Sequence, residues 1–164
     1  MQRVAAAAAA HTDPGTAPPA AARAVLDRYP GTWDTTATIR LPKKSTVTST
    51  STSTWVLDHR YLRVETVKSD GSQRAADLRL RRPVTKGYSL WIFSSTGIPL
   101  YLSRGEWNES TRTMSWKSSA TDQTSYTSRC TFEAADTLRC ISQVKNFSGA
   151  VVVDIESVGV RRRP

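Results

Sequence analysis

The period of the side-chain pattern constrains this chain more than any other feature. Behind Gly31-Thr32-Trp33, the residues Trp33, Thr35, Ala37, Ile39 and Leu41 fall on one side, and Asp34, Thr36, Thr38 and Arg40 on the other. Successive side chains of a strand point to opposite faces, so a repeat of two predicts a half-buried strand. Pro42-Lys43-Lys44 ends it, and Val47, Ser49, Ser51, Ser53, Trp55 and Leu57 continue the alternation in a second strand rich in Ser and Thr. Branched threonines favour that conformation. Asp58-His59-Arg60 and Ser69-Asp70-Gly71-Ser72 predict turns around a strand over 61–67. Further strands are predicted over 74–82, 86–95, 99–107, 113–118, 125–133, 138–145 and 151–161. About ten short strands with close turns and no second helical stretch predict an all-β, up-and-down antiparallel barrel of about eight to ten strands. Closure removes the exposed edges that such a sheet would otherwise carry.

Ahead of the strands, residues 18–29 read PPAAARAVLDRY, with prolines at a helix start and Pro30-Gly31 as the stop, so one short N-terminal helix is expected. Residues 1–19 are low-complexity Ala, Pro and Gly with no face to bury. They read as a disordered tail or the remnant of a signal, Arg3 preceding an apolar alanine run. The barrel domain is therefore expected over 20–163. No apolar run approaches the roughly 18 residues a membrane-spanning helix needs.

Gly31-Thr32-Trp33, the run from Ser53 to Leu62, the aromatic stretch from Gly87 to Phe93, Gly105-Glu106-Trp107 and Met114-Ser115-Trp116 stand out along the chain. Together these segments resemble the bacterial lipocalin-like family called domain of unknown function 1579. The resemblance implies a calycin-type barrel with one helical plug and no established activity. It also implies how the closed end is sealed: Gly31 and Trp33 open the first strand, and Arg161 on the last strand stacks on the indole, a contact of roughly 0.5–2 kcal/mol. The family usually carries a small residue in the turn after the second strand, where this chain has His59.

No constellation for catalysis is visible, and neither a metal site nor a cofactor is expected. His11 and His59 are the two histidines, and three or four converging ligands are needed for a metal. Asp58-His59 is the one candidate base pair, and neighbours in a tight turn rarely converge on a point. Glu65, Glu106, Glu109, Glu133 and Glu156 fall mostly at strand ends or outward positions. Cys130 and Cys140 flank Ala134-Ala135-Asp136, and a three-residue loop there would set them opposite each other at disulfide distance. A four-residue loop would slip that register. Export, into a periplasmic or extracellular space, would allow the bond, and a reducing cytosol would leave two thiols.

The aromatic residues carry the functional expectation. Trp55, Trp91, Tyr101 and Trp116 are the candidate ligand-binding residues, for a small hydrophobic or aromatic molecule held inside the barrel. The same rings could instead fill the core, since aromatics dominate core burial in any fold. A net charge of +9 opens a second reading, a surface that binds an acidic polymer or partner through Arg79, Arg81, Arg82, Lys86 and Arg161-Arg162-Arg163. The charges are otherwise scattered, which disfavours nucleic acid.

Overall fold

The computed structural model describes residues 20–80, 87–95, 100–118 and 124–163; the segment 1–19 and the basic residues Arg81, Arg82 and Lys86 lie outside the described residues. A helix, α1 (Ala20–Leu26), leads into β1 (Gly31–Leu41), β2 (Ser45–Val56), β3 (Tyr61–Lys68), β4 (Gln73–Leu80) and β5 (Tyr88–Ser94). Then follow β6 (Leu100–Asn108), β7 (Thr113–Lys117), β8 (Ser125–Ala134), β9 (Thr137–Lys145) and β10 (Val151–Arg161). Each strand runs antiparallel to its chain neighbour and β10 returns to pair with β1, so the sheet closes into a barrel.

Alternation decides which residues face inward. One register row runs Trp55, Leu62, Leu78, Leu90, Leu102 across β2 to β6, and Leu62 and Leu102 have no exposed surface. Trp107, Met114, Cys130, Cys140, Ser157 and Ala37 form another row from β6 round to β1. Leu57 departs from the expected pattern. It does not extend the inner face of β2 but begins a turn in which Leu57, Asp58 and His59 all have left-handed φ, at 51°, 53° and 60°. The chain must reverse there for Tyr61 to pair with Val56, and that tight reversal throws Leu57 into solvent.

The closed end is sealed by a cluster around Trp33. Its indole Nε1 donates to the Tyr29 carbonyl at 2.8 Å, which ties β1 to the segment after α1. Tyr29 meets Phe132 edge-on at 5.0 Å between ring centroids, and Trp33 and Trp107 approach the same ring at 6.2 and 6.3 Å. Arg161, the register partner of Trp33, lies with its guanidinium 4.5 Å from the indole centroid and donates to the Arg28 carbonyl. Gly31 has φ +121°, where a side chain would be strained, and packs beside the Arg161 stem. Val25 and Leu26 of α1 are buried against this cluster, and Asp27 accepts from the Trp55 indole at 2.8 Å.

The Cys130–Cys140 pair forms a disulfide across β8 and β9, with a Cα separation of 4.1 Å. The turn is tighter than a three-residue loop, because Ala134 already pairs with Thr137. An irregularity between Phe132 and Ala134 absorbs the extra residue, which keeps Phe132 opposite Leu138 and Cys130 opposite Cys140. On the outside, ion pairs lace β8, β9, β10 and β1 together. Arg162 grips Asp34 through two bonds of 2.7 Å, and Arg139 bridges Glu133 and Glu156 at 2.6 Å each. Hydrogen bonds from Arg162 and Thr50 hold the Asp34 carboxyl below its usual range, and Arg139 does the same to Glu156. Their contribution is present at neutral pH and lost as acid protonates them; being exposed, each pair adds little.

Two substitutions test these contacts by urea unfolding. Arg161→Ala removes the cation–π contact and the carbonyl bond together and is expected to cost about 1–3 kcal/mol. Arg161→Lys should recover little of it, because an ammonium lacks the planar fork; full recovery would show that charge alone matters. A side chain on Gly105 would run into the Trp116 ring. Gly105→Ala should therefore cost about 1–3 kcal/mol by overpacking, and clearly less in a Trp116→Leu background, where the clash is gone. Equal costs in both backgrounds would refute the contact.

Candidate functional site

Inside the barrel, directly above the Trp33 plug, lies a cavity of about 180 Å³. Tyr29, Trp33, Val64, Leu138, Cys140 and Gly159 supply its apolar wall and floor, and Thr35, Ser51, Ser53 and Ser157 bring hydroxyls to it. The cavity follows from the sequence of β2, in which inward positions hold Ser49, Ser51 and Ser53 and outward positions hold Thr48, Thr50, Thr52 and Thr54. Small inward side chains leave volume unfilled. Gly159 on β10 and Thr35 on β1 are register partners and extend the same small-residue sector. Across the barrel the interior is filled, with Met114 and Leu102 wholly buried and Trp116 packed on the backbone of Gly105.

The lining carries no charge. Tyr29 is its one titrating group, and burial, with Tyr88 adding a smaller effect, pushes the phenol well above the usual tyrosine range, so it stays neutral. Ser51 Oγ is 2.8 Å from Thr66 Oγ1, which fixes one hydroxyl of the wall. Farther round the inner face, Ser128 and Ser142 are 2.9 Å apart and the Tyr126 hydroxyl donates to Ser142 at 3.3 Å. A wider groove of about 820 Å³ crosses the outer faces of β10, β1, β2 and β3, with Asp34, Thr36, Thr48, Val158 and Arg162 along it, and is open to solvent.

Of the four aromatics Trp55, Trp91, Tyr101 and Trp116, the structure does not bring Trp55, Trp91 and Trp116 to this cavity, and the side chain of Tyr101 lies outside what is described. Trp55 faces inward beside the closed end, where its indole bonds Asp27 and its ring lies 5.8 Å from His59. Trp91 alternates with the buried inward residues Leu90 and Ile92, so it takes the outer face of β5, and Tyr101 is its register partner on β6. Trp116 faces inward on the filled side. The serines on the face of Trp55 were visible in the sequence; that they stand opposite Gly159 and Ser157 depends on barrel closure.

Arg161 and Arg162 of the terminal cluster are engaged with Trp33 and Asp34. Arg79 pairs in register with Tyr61 and Ser89. His59 is exposed in its left-handed turn. Among the described residues no three His, Cys, Asp or Glu side chains cluster as metal ligands would.

No protein-family model matches the chain, and no curated protein does. Solved structures do. The S-type phycobiliprotein lyase CPES from Guillardia theta is 17% identical, with 85% of this chain and 91% of that one covered at a TM-score of 0.61. Rv2717c from M. tuberculosis is 15% identical, with 87% and 98% covered at a TM-score of 0.65. At such identities the likeness is one of fold, and that fold is the lipocalin-like, calycin-type barrel.

Proposed function

We propose that the protein binds a small, uncharged, largely apolar or aromatic molecule inside the barrel, with its body on Trp33 and Tyr29 and a polar edge toward the hydroxyls of Ser51, Ser53 and Ser157. The cavity carries this reading: its size, about 180 Å³, suits one or two rings, since an apolar cavity of about 150 Å³ accepts benzene. Three serines, a threonine and the Tyr29 phenol on an otherwise apolar wall are the few polar anchors that fix a ligand's orientation in such pockets. An uncharged lining disfavours an ionised ligand, which would lose hydration without a partner. We read the protein as a carrier or sensor without catalysis and as a relative of the domain of unknown function 1579 family, a reading supported by Gly31 and Trp33 beneath Arg161. The reading of the surface as an acidic-polymer site draws less support, because Arg161 and Arg162 are spent on internal contacts.

Native mass spectrometry of protein purified from its own cells without a stripping step tests this directly. An adduct is expected, and Ser157→Leu, which places a side chain in the cavity, should weaken its binding by at least about tenfold while the protein still melts cooperatively. An empty protein that also ignores a panel of neutral one- and two-ring compounds would sink the proposal. With no lining group titrating, affinity should stay flat between about pH 5 and pH 9; a step in that range would point to a charged contact and a different site.

A further inference from the structure

The barrel has two unlike ends. The plug, α1 and the Arg161 contact occupy one, and the β1–β2, β3–β4 and β9–β10 hairpins turn at the other, the β3–β4 turn carrying exposed Asp70 with Lys68 beside it. The β9–β10 tip holds Phe147, which is 87% exposed, the most exposed large apolar side chain among the described residues. This is a built turn. Asn146 Oδ1 accepts from Ser148 N at 3.1 Å, Ser148 Oγ at 2.7 Å and Ala150 N at 3.0 Å. Asn146 N bonds the Ala150 carbonyl and Gly149 N the Asn146 carbonyl, with Gly149 at φ +83°. The turn satisfies its own polar groups and leaves the phenyl ring in water, where nothing in the fold explains it.

The neighbouring hairpin adds to the same end, since β1 pairs with β10 up to Leu41 opposite Asp154. Leu41 and Val152 are 40% and 38% exposed, and Lys43, Lys44 and Lys145 are exposed beside them. Neither 41–45 nor 145–151 contains an acidic residue, and the nearest acids of β10, Asp154 and Glu156, already face Arg40. We propose that these two hairpin tips dock the open end of the barrel on an anionic lipid surface, with Phe147 inserted among the headgroups and Lys43, Lys44 and Lys145 against their charge. A convex tip offers little of the roughly 800 Å² per partner that a stable protein interface buries. A bilayer interface needs no complementary pocket, takes up a protruding ring and attracts flanking lysines. Docked this way, the end away from the Trp33 plug faces the membrane, and the proposal stands whether or not the cavity holds a ligand.

Co-sedimentation of the full chain with vesicles tests it, using phosphatidylcholine alone against phosphatidylcholine with about a third phosphatidylserine. Binding is expected only with the anionic vesicles, and high salt should release it. Phe147→Ala should weaken it about tenfold, and Lys43→Glu with Lys44→Glu about thirtyfold, with melting unchanged because all three positions are exposed. Phe147→Trp should give a blue-shifted emission on anionic vesicles relative to wild type. Ser157→Leu should bind vesicles like wild type, which separates this proposal from the cavity reading. No preference for anionic lipid, or Phe147→Ala binding like wild type, would overturn it. A wild-type dimer that Phe147→Ala dissociates would overturn it too, and would assign the face to a second copy of the chain.

Discussion

The pairing of β1 with β10 is the contact on which the rest of the structure depends. It joins the start of the sheet to its end, abolishes both edges and sets Trp33 opposite Arg161. A closed sheet still has open ends, and an apolar interior open to water at both would gain little from burial. The indole over the floor, the guanidinium on the indole and the Tyr29 carbonyl beneath it close one end with three mutually supporting contacts. Residues so far apart in sequence meet only after the intervening strands have formed, so closure is bound up with completing the whole barrel.

Volume is distributed unevenly inside that closed sheet. From β5 to β7 the inward positions hold leucine, isoleucine, methionine and tryptophan, and Gly105 is a glycine because the Trp116 ring lies where a side chain would be. From β9 through β10 and β1 to β2, at the level of the cavity, they hold Cys140, Ser157, Gly159, Thr35, Ser51 and Ser53, with Leu138 and Trp33 as the large residues among them. The cavity is the difference between the two halves. Its hydroxyls are the price of small size in a strand, since serine and threonine are the short residues that a β-rich sequence uses most readily.

Charge is divided in the same uneven way. The protein carries nine more basic than acidic groups, yet many arginines are internal fasteners: Arg161 on Trp33, Arg28 on Trp107 and Glu109, Arg162 on Asp34, Arg139 on Glu133 and Glu156. Arginine suits that work because its planar fork stacks and bonds at once. Lysines concentrate instead toward the end away from the plug, where the β1–β2 and β9–β10 tips carry Lys43, Lys44 and Lys145 without a carboxylate of their own, and Asp70 of the β3–β4 tip has Lys68 beside it. The two ends thus differ in chemistry as well as in shape.

Local pattern in the sequence determined the elements. The repeat of two located every strand to within a few residues and proline and glycine marked turns, whereas α1 ends at Leu26, ahead of the expected stop at Pro30-Gly31, and the spacing about Ala134-Ala135-Asp136 left the register of Cys130 and Cys140 open until a tighter turn and a bulge set it. Leu57 escaped that logic because a three-residue left-handed reversal overrides alternation at a strand end. What only the tertiary structure decided is which inward faces meet. Trp55, Trp91 and Trp116 look alike as large rings in strands, yet the first joins the seal, the second lies on the strand face opposite Leu90, in register with Tyr101, and the third fills the core. A cavity is a sum over strands that closure brings face to face. Residues as distant as Ser51 and Ser157 line one volume only because β1 lies between β2 and β10, and no local period in the chain encodes that.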